Sequence, residues 1–235
     1  MFIYYFSFIF FSLVPSLLWL IFFLMEDKNP EPGRKIIKAF LWGMIISIPV
    51  LIFTLPIKKI LDLTNLSDIA VKIIMVALVA AFLEELFKFL ALRYSILKSS
   101  DCDEPVDLMV YAITIGLGFA ALENFFFLTP LAPQDMMAMD SFLRFVSGTF
   151  LHALVGGIMG YFVALSILYS KKRTYLITTG VFLAMLLHAG YNFSIIYTMV
   201  WSESIIFAPT ILITLFIAVL LCFSRLKKMA SICQT

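Results

Sequence analysis

The sequence predicts an all-α, polytopic transmembrane helix bundle of about seven spanning helices, with the N-terminus outside and the C-terminus in the cytoplasm. Three observations predict it. Hydrophobic residues make up 63% of the 235 and charged residues only 14%, and mean hydropathy is +1.05. A soluble domain carries roughly 25% charge, because water must meet a polar surface. Apolar runs of spanning length recur between charged or turn-forming stretches. The lysines and arginines between those runs alternate between rich and poor, in register with seven crossings.

Each run is judged against the roughly 20 apolar residues needed to cross a hydrocarbon core about 30 Å thick. The first, near 1–25, has no basic start, a long apolar run and no small-residue cleavage site before Glu26. It therefore reads as a retained span and not a cleavable signal peptide. Pro15 within it is a candidate kink. The second and third lie near 37–57 and 69–92. The fourth lies near 108–129, and Glu104-Pro105 ahead of it looks like a helix start, with proline in the first turn and acids at the positive dipole end. The fifth, near 142–169, contains the G-x-x-x-G of Gly156 and Gly160, a spacing suited to close helix packing. The sixth is near 174–200, with Trp201 as an interfacial anchor, and the seventh near 205–224.

Lys28, Arg34, Lys35 and Lys38 follow the first run, and Arg93 and Lys98 the third. Lys171, Lys172 and Arg173 follow the fifth, and Arg225, Lys227 and Lys228 the seventh. The alternate connections hold Lys58, Lys59 and Lys72, then Arg144, then none around Trp201. Cationic connections stay in the cytoplasm, which fixes the expected orientation. With no linker, low-complexity tract or internal repeat, residues 1–235 read as a single membrane-embedded domain. A net charge of +2 and the placement of the charges exclude a strongly basic nucleic-acid binder. Three cysteines, Cys102, Cys222 and Cys233, have no paired spacing and read as free thiols.

The chemistry lies in charges placed where charges are costly. An ionisable group at the bilayer centre costs at least ~2.5–3.5 kcal/mol on insertion scales, so it faces protein or a wet cavity. The third run carries Glu84, Glu85 and Lys88, the fourth Glu123 and Asn124, the fifth His152, and the sixth His188 and Asn192; His152 and His188 are the chain's two histidines. Lys88 is four residues from Glu84 and three from Glu85, so it can pair with either. The two glutamates point about 100° apart around the helix, so one can line a cavity while the other meets a neighbour. A carboxylate beside a histidine in a wet cavity can deprotonate water for attack on a peptide carbonyl, and histidine or asparagine can donate to the developing oxyanion. No cofactor is required for that reading, although His152, His188 and either Glu84 or Glu85 could hold Zn²⁺. The local H-E-x-x-H signature of zinc peptidases is absent. Bland alternatives stand beside these: histidines bonding across the bundle, a self-neutralising Glu–Lys pair, and a Glu123 that meets only backbone or Lys88.

Together these residues resemble the PrsW family of intramembrane proteases, within the wider group that includes the CAAX prenyl proteases. Glu84-Glu85-Leu86-Phe87-Lys88 resembles the family's E-E-x-x-K motif. Phe119-Ala120-Ala121-Leu122-Glu123 resembles F-x-x-x-E, and His188-Ala189-Gly190-Tyr191-Asn192 a variant of H-x-x-x-D. His152 resembles a further family histidine. The resemblance covers about 80–195, inside a motif-bearing core of about 69–200. It implies a protease domain in a bacterial or archaeal plasma membrane, cutting a single-pass membrane protein, such as an anti-sigma factor, near its extracytoplasmic side. Its functional residues would be Glu84, Glu85, His152 and His188, supported by Lys88, Glu123 and Asn192, with glutamate or metal dependence both open. Glu84 is favoured as base over Glu85 because Lys88 sits one turn below it. Asn192, where many relatives carry Asp, is a poorer metal ligand and no general base. Glu123 in place of histidine argues against CAAX-type prenyl proteolysis, one rival. A non-catalytic scaffold using buried polar residues for packing is another, and a proton-coupled transporter a third that lacks the repeat signature it needs.

Overall fold

Within hydrocarbon a backbone can satisfy its N–H and C=O groups only internally, so apolar runs of spanning length become helices. The computed structural model describes residues 2–27, 29, 31–96, 104–128 and 134–229, and among these no strand occurs. The helices are α1 (Phe2–Leu24), α2 (Gly33–Leu61), α3 (Asp68–Lys72), α4 (Ala81–Ser95), α5 (Pro105–Phe127), α6 (Gln134–Val146), α7 (Gly148–Leu168), α8 (Arg173–Thr198) and α9 (Phe207–Leu226). Six segments are long and apolar enough to cross a membrane. The seventh long rod carries the charged motif and runs from Asp68 to Ser95. It joins α3 to α4 through a π-helical stretch, Ile73–Ala80. Cys102 and Cys233 lie outside the described residues, as do Lys28 and Lys98; Cys222 is a free thiol.

α5 is the axis of the bundle, buried without interruption from Pro105 to Ala121. Its start is a capping box: the Glu104 and Asp107 side chains each accept from the other's backbone N–H, and Pro105 occupies the first turn, satisfying groups a helix end otherwise leaves open. Close packing on both sides depends on residues without a side chain. A methyl group at Gly156 would lie 2.8 Å from the Ala112 carbonyl oxygen, and one at Gly160 2.7 Å from the Met109 Cα. On the other flank, a methyl at Gly118 would lie 2.0 Å from the Phe40 carbonyl oxygen of α2. These glycines let backbones touch, which is how helices associate in lipid.

The fifth span differs from its sequence expectation. Helix does not run unbroken through 142–169: it stops at Val146, Ser147 takes φ −127° and ψ −96°, and α7 starts at Gly148. A Ser-Gly pair is a common place for such a break. Arg144, three residues before the break, is largely buried.

Candidate active site

Four helices bring the charged motif to one place. α4 supplies Glu84, Glu85 and Lys88, α5 supplies Glu123, α7 supplies His152, and α8 supplies His188 and Asn192. Glu85, Lys88, His152 and His188 are 0–3% exposed, and Glu84 is 8%. One ligand atom from each of Glu84, Glu85, His152 and His188 lies within 4.8 Å of all the others.

The two adjacent glutamates do different things. Glu85 Oε1 accepts from Lys88 Nζ at 2.7 Å and from His188 Nδ1 at 2.8 Å. Glu84 makes no such bond: its Oε2 is 3.8 Å from Lys88 Nζ, 3.8 Å from His188 Nε2 and 4.0 Å from His152 Nδ1, and has no hydrogen-bond partner. Of the two carboxylates within reach of Lys88 along the helix, it is Glu85 that Lys88 bonds. The ammonium sits between Glu85 and His152 Nδ1, 2.7 Å from each, and 4.5 Å above the Phe119 ring; three short contacts outweigh one longer pairing along the helix.

These contacts assign the imidazole protons. An ammonium only donates, so His152 Nδ1 accepts and its Nε2 carries the proton, which goes to Glu123 Oε2 at 2.9 Å. A carboxylate only accepts, so His188 donates from Nδ1, and its Nε2 faces Glu84. The rings meet edge to face with centroids 5.1 Å apart.

Glu84 also marks the way in. It lines a cavity of about 620 Å³ together with Glu123, Arg144, His152, His188 and Asn192. It lines a second, of about 290 Å³, whose walls include Ser47 and Thr54 of α2 and Met75 of the π-helical stretch. Lys72, Val76 and Ala80 border both. Asn192, half-buried, donates through Nδ2 to the Val76 carbonyl oxygen at 3.0 Å; π-helical stretches commonly sit at functional sites. The amide's second N–H is left for the cavity.

Sequence reasoning missed one participant. Arg144, read there as a connecting-loop charge, donates from Nη2 to Glu123 Oε2 at 2.6 Å and from Nε to Asn124 Oδ1. Asn124, fully buried, holds Thr149 Oγ1 at 3.1 Å and the Ser12 carbonyl oxygen at 3.3 Å. A lone arginine within Phe142-Leu143-Arg144-Phe145-Val146 was the available signal.

Glu84, Glu85, His152 and His188 are the residues that could hold a divalent ion. Glu84 and Glu85 each keep a buried Oε2 without a hydrogen-bond partner, and His188 Nε2 lies 3.8 Å from Glu84 Oε2. His152 Nδ1 would join them when Lys88 withdraws. The cluster also holds three carboxylates, Glu84, Glu85 and Glu123, against two cationic side chains, Lys88 and Arg144.

A family model described as PrsW family intramembrane metalloprotease matches residues 31–222. Protease PrsW of Oceanobacillus iheyensis is 29% identical over 182 residues, which are 77% of this chain and 80% of that protein. Protease PrsW of Bacillus subtilis is 27% identical over 184 residues, 77% of this chain and 79% of that one. The Clostridioides difficile protein of the same name is 24% identical over 196 residues, 81% and 80% of the two chains. No solved structure matches the chain.

Proposed function

The chain belongs to the PrsW family of intramembrane proteases, and from that premise we propose an endopeptidase that cuts single-pass membrane proteins near the extracytoplasmic side, using Glu84 to activate water. An anti-sigma factor is one substrate of that class. A plasma membrane is the expected site. The observation that carries this reading is the division between the glutamates: Glu85 is bonded to Lys88 and His188 and borders neither cavity, while Glu84 lines both cavities and keeps a buried Oε2 without a hydrogen-bond partner.

A water between Glu84 Oε2 and His188 Nε2 would meet two acceptors, which are 3.8 Å apart. Glu84 takes its proton as the oxygen attacks the scissile carbonyl. The spare N–H of Asn192 donates to the oxyanion. Glu84 then returns the proton to the departing amine. Lys88 and Glu85 keep both imidazoles oriented throughout. Glu84, Glu85 and His188, joined by His152, would hold a divalent ion, which when bound polarises the carbonyl and makes its water more acidic.

The test is co-expression with a panel of tagged single-pass substrates, comparing wild type, Glu84→Gln and Glu85→Gln at matched membrane levels. Glu84→Gln is expected to abolish cleavage with its membrane level unchanged. Glu85→Gln is expected to lower thermal stability as well, since breaking a buried ion pair costs about 3–5 kcal/mol. Full activity in Glu84→Gln would overturn the mechanism. Where a divalent ion takes part, a chelator stops cleavage and lowers the melting temperature, and added Zn²⁺ restores both, since a ligand bound only to the folded state stabilises it.

A further inference from the structure

Glu123 would not keep its place against His152 unaided. Its side chain is 38% exposed toward the cavity, so water competes for both oxygens, and a free rotamer carries it away from the imidazole. What holds it comes from α6, a helix outside the four that carry the motif. The Arg144 guanidinium, 14% exposed, binds Glu123 Oε2 and the amide oxygen of the next residue, Asn124. Its Cζ lies 4.7 Å over the Phe127 ring. Asn124 is tied in turn to α7 and α1. A planar fork with donors at fixed angles is suited to gripping two acceptors at once, which a lysine cannot reproduce.

We propose that Arg144 is a positioning residue. By pinning Glu123 Oε2 against His152 Nε2, it holds the ring in the orientation in which Nδ1 meets Lys88, and so keeps the proton on Nε2. The chain of contacts then runs Arg144, Glu123, His152, Lys88, Glu85, His188, from α6 across the site. Without Arg144 the carboxylate swings into the cavity, the ring turns off Lys88, and with Nδ1 no longer held by the ammonium the imidazole exchanges between tautomers. α6, which ends one residue before Ser147, lines the cavity with Asp140, Leu143 and Arg144.

The test uses the full chain, purified in detergent and labelled with [¹⁵N]histidine. With two histidines in the sequence, each ring can be followed, and the two are assigned opposite tautomers. Wild type is expected to give Nε2–H at His152 and Nδ1–H at His188. Arg144→Met is expected to convert His152 to a mixture while His188 keeps its signature, which serves as the folding control. Arg144→Lys, which keeps a charge for Glu123, is expected to restore the Nε2–H form in part. If Arg144→Met also disturbs His188, Arg144→Gln retains a donor for Asn124 and removes only the charge on Glu123. An unchanged His152 tautomer in a folded Arg144→Met or Arg144→Gln protein would overturn the proposal.

The catalytic consequence rests on the peptidase reading. With a cleaved panel substrate, Arg144→Gln is expected to lower kcat about 10–100-fold, as loss of a supporting contact does, with KM unchanged. A raised KM at constant kcat would show instead that Arg144 grips substrate, and would overturn the positioning role. The tautomer measurement needs no proteolysis, so failure of one reading is distinguishable from failure of the other.

Discussion

A buried charge is tolerated in proportion to how completely its hydrogen bonds are answered, and residues here differ on that count. Lys88 is answered by Glu85 and His152. Asp27, in the connection after α1, is not: it is 6% exposed, Oδ1 accepts from the Asn29 N–H at 3.0 Å, and Oδ2 has no partner. Burial pushes its carboxyl above the ordinary value, the Asn29 hydrogen bond pulls it back, and Glu104 and Glu31 push it up again. A carboxyl raised in the folded state binds protons more tightly folded than unfolded, so stability falls as pH rises through the window between its ordinary and raised values. Asp27→Asn removes that loss. The variant is expected to melt above wild type at neutral pH and to converge with it in acid; a difference that fails to widen with pH would refute this. The same residue scale shows what sequence could reveal of the site. That adjacent glutamates must divide their roles follows from the helical turn. Which of them Lys88 would choose does not, because spacings of three and four are both in reach and the choice is made by His152 on another helix.

At the scale of elements, spans were legible because hydrocarbon enforces them: α1, α5, α8 and α9 begin or end within a few residues of their apolar runs. What periodicity could not show was a change of winding inside a run. The π-helical stretch Ile73–Ala80 is as apolar as an α-helix would be, and the break at Ser147 is marked by a pair of small residues that also occurs in unbroken membrane helices. Both features bear on the site, one through the Val76 carbonyl that Asn192 grips, the other through Arg144. The glycine spacing was legible, and its effect reaches the chemistry. Gly116 of α5 lies against the His152 backbone, with a notional methyl 2.6 Å from its carbonyl oxygen, and Gly156 continues the contact one turn on. Gly156→Leu has no space to enter. It is expected to cost about 1–3 kcal/mol or more as an overpacked site, and to separate His152 from Glu123. Lower melting temperature together with lost cleavage would fit; wild-type values of both would show that α5 and α7 need no such closeness.

For the whole molecule, the distribution of charge sets the direction in which the site faces. Among the described residues, the connections after α1, α4, α7 and α9 carry Arg34, Lys35, Lys38, Arg93, Lys171, Lys172, Arg173, Arg225, Lys227 and Lys228, while the opposite end carries Lys58, Lys59, Lys72 and Arg144. Arg144 and Lys58 are further neutralised by Glu123 and Asp62, so the contrast between the two ends, from which a cytoplasmic cation-rich end is expected, is sharper than the count. The larger cavity is bordered by Lys72, Asp140 and Met199, all toward the poorly cationic end, and is expected to open to the outside if the cation-rich end is cytoplasmic. Alkaline phosphatase fused after Leu66 or Ser202 is therefore expected to be active, and a fluorescent protein fused after Lys171 or Lys228 to fluoresce. The reverse pattern would turn the cavity to the cytoplasm. Glu84 would then meet chains arriving from that side, where prenylated tails are found, and the extracytoplasmic cut would have to be given up even with the water-activating role of Glu84 intact.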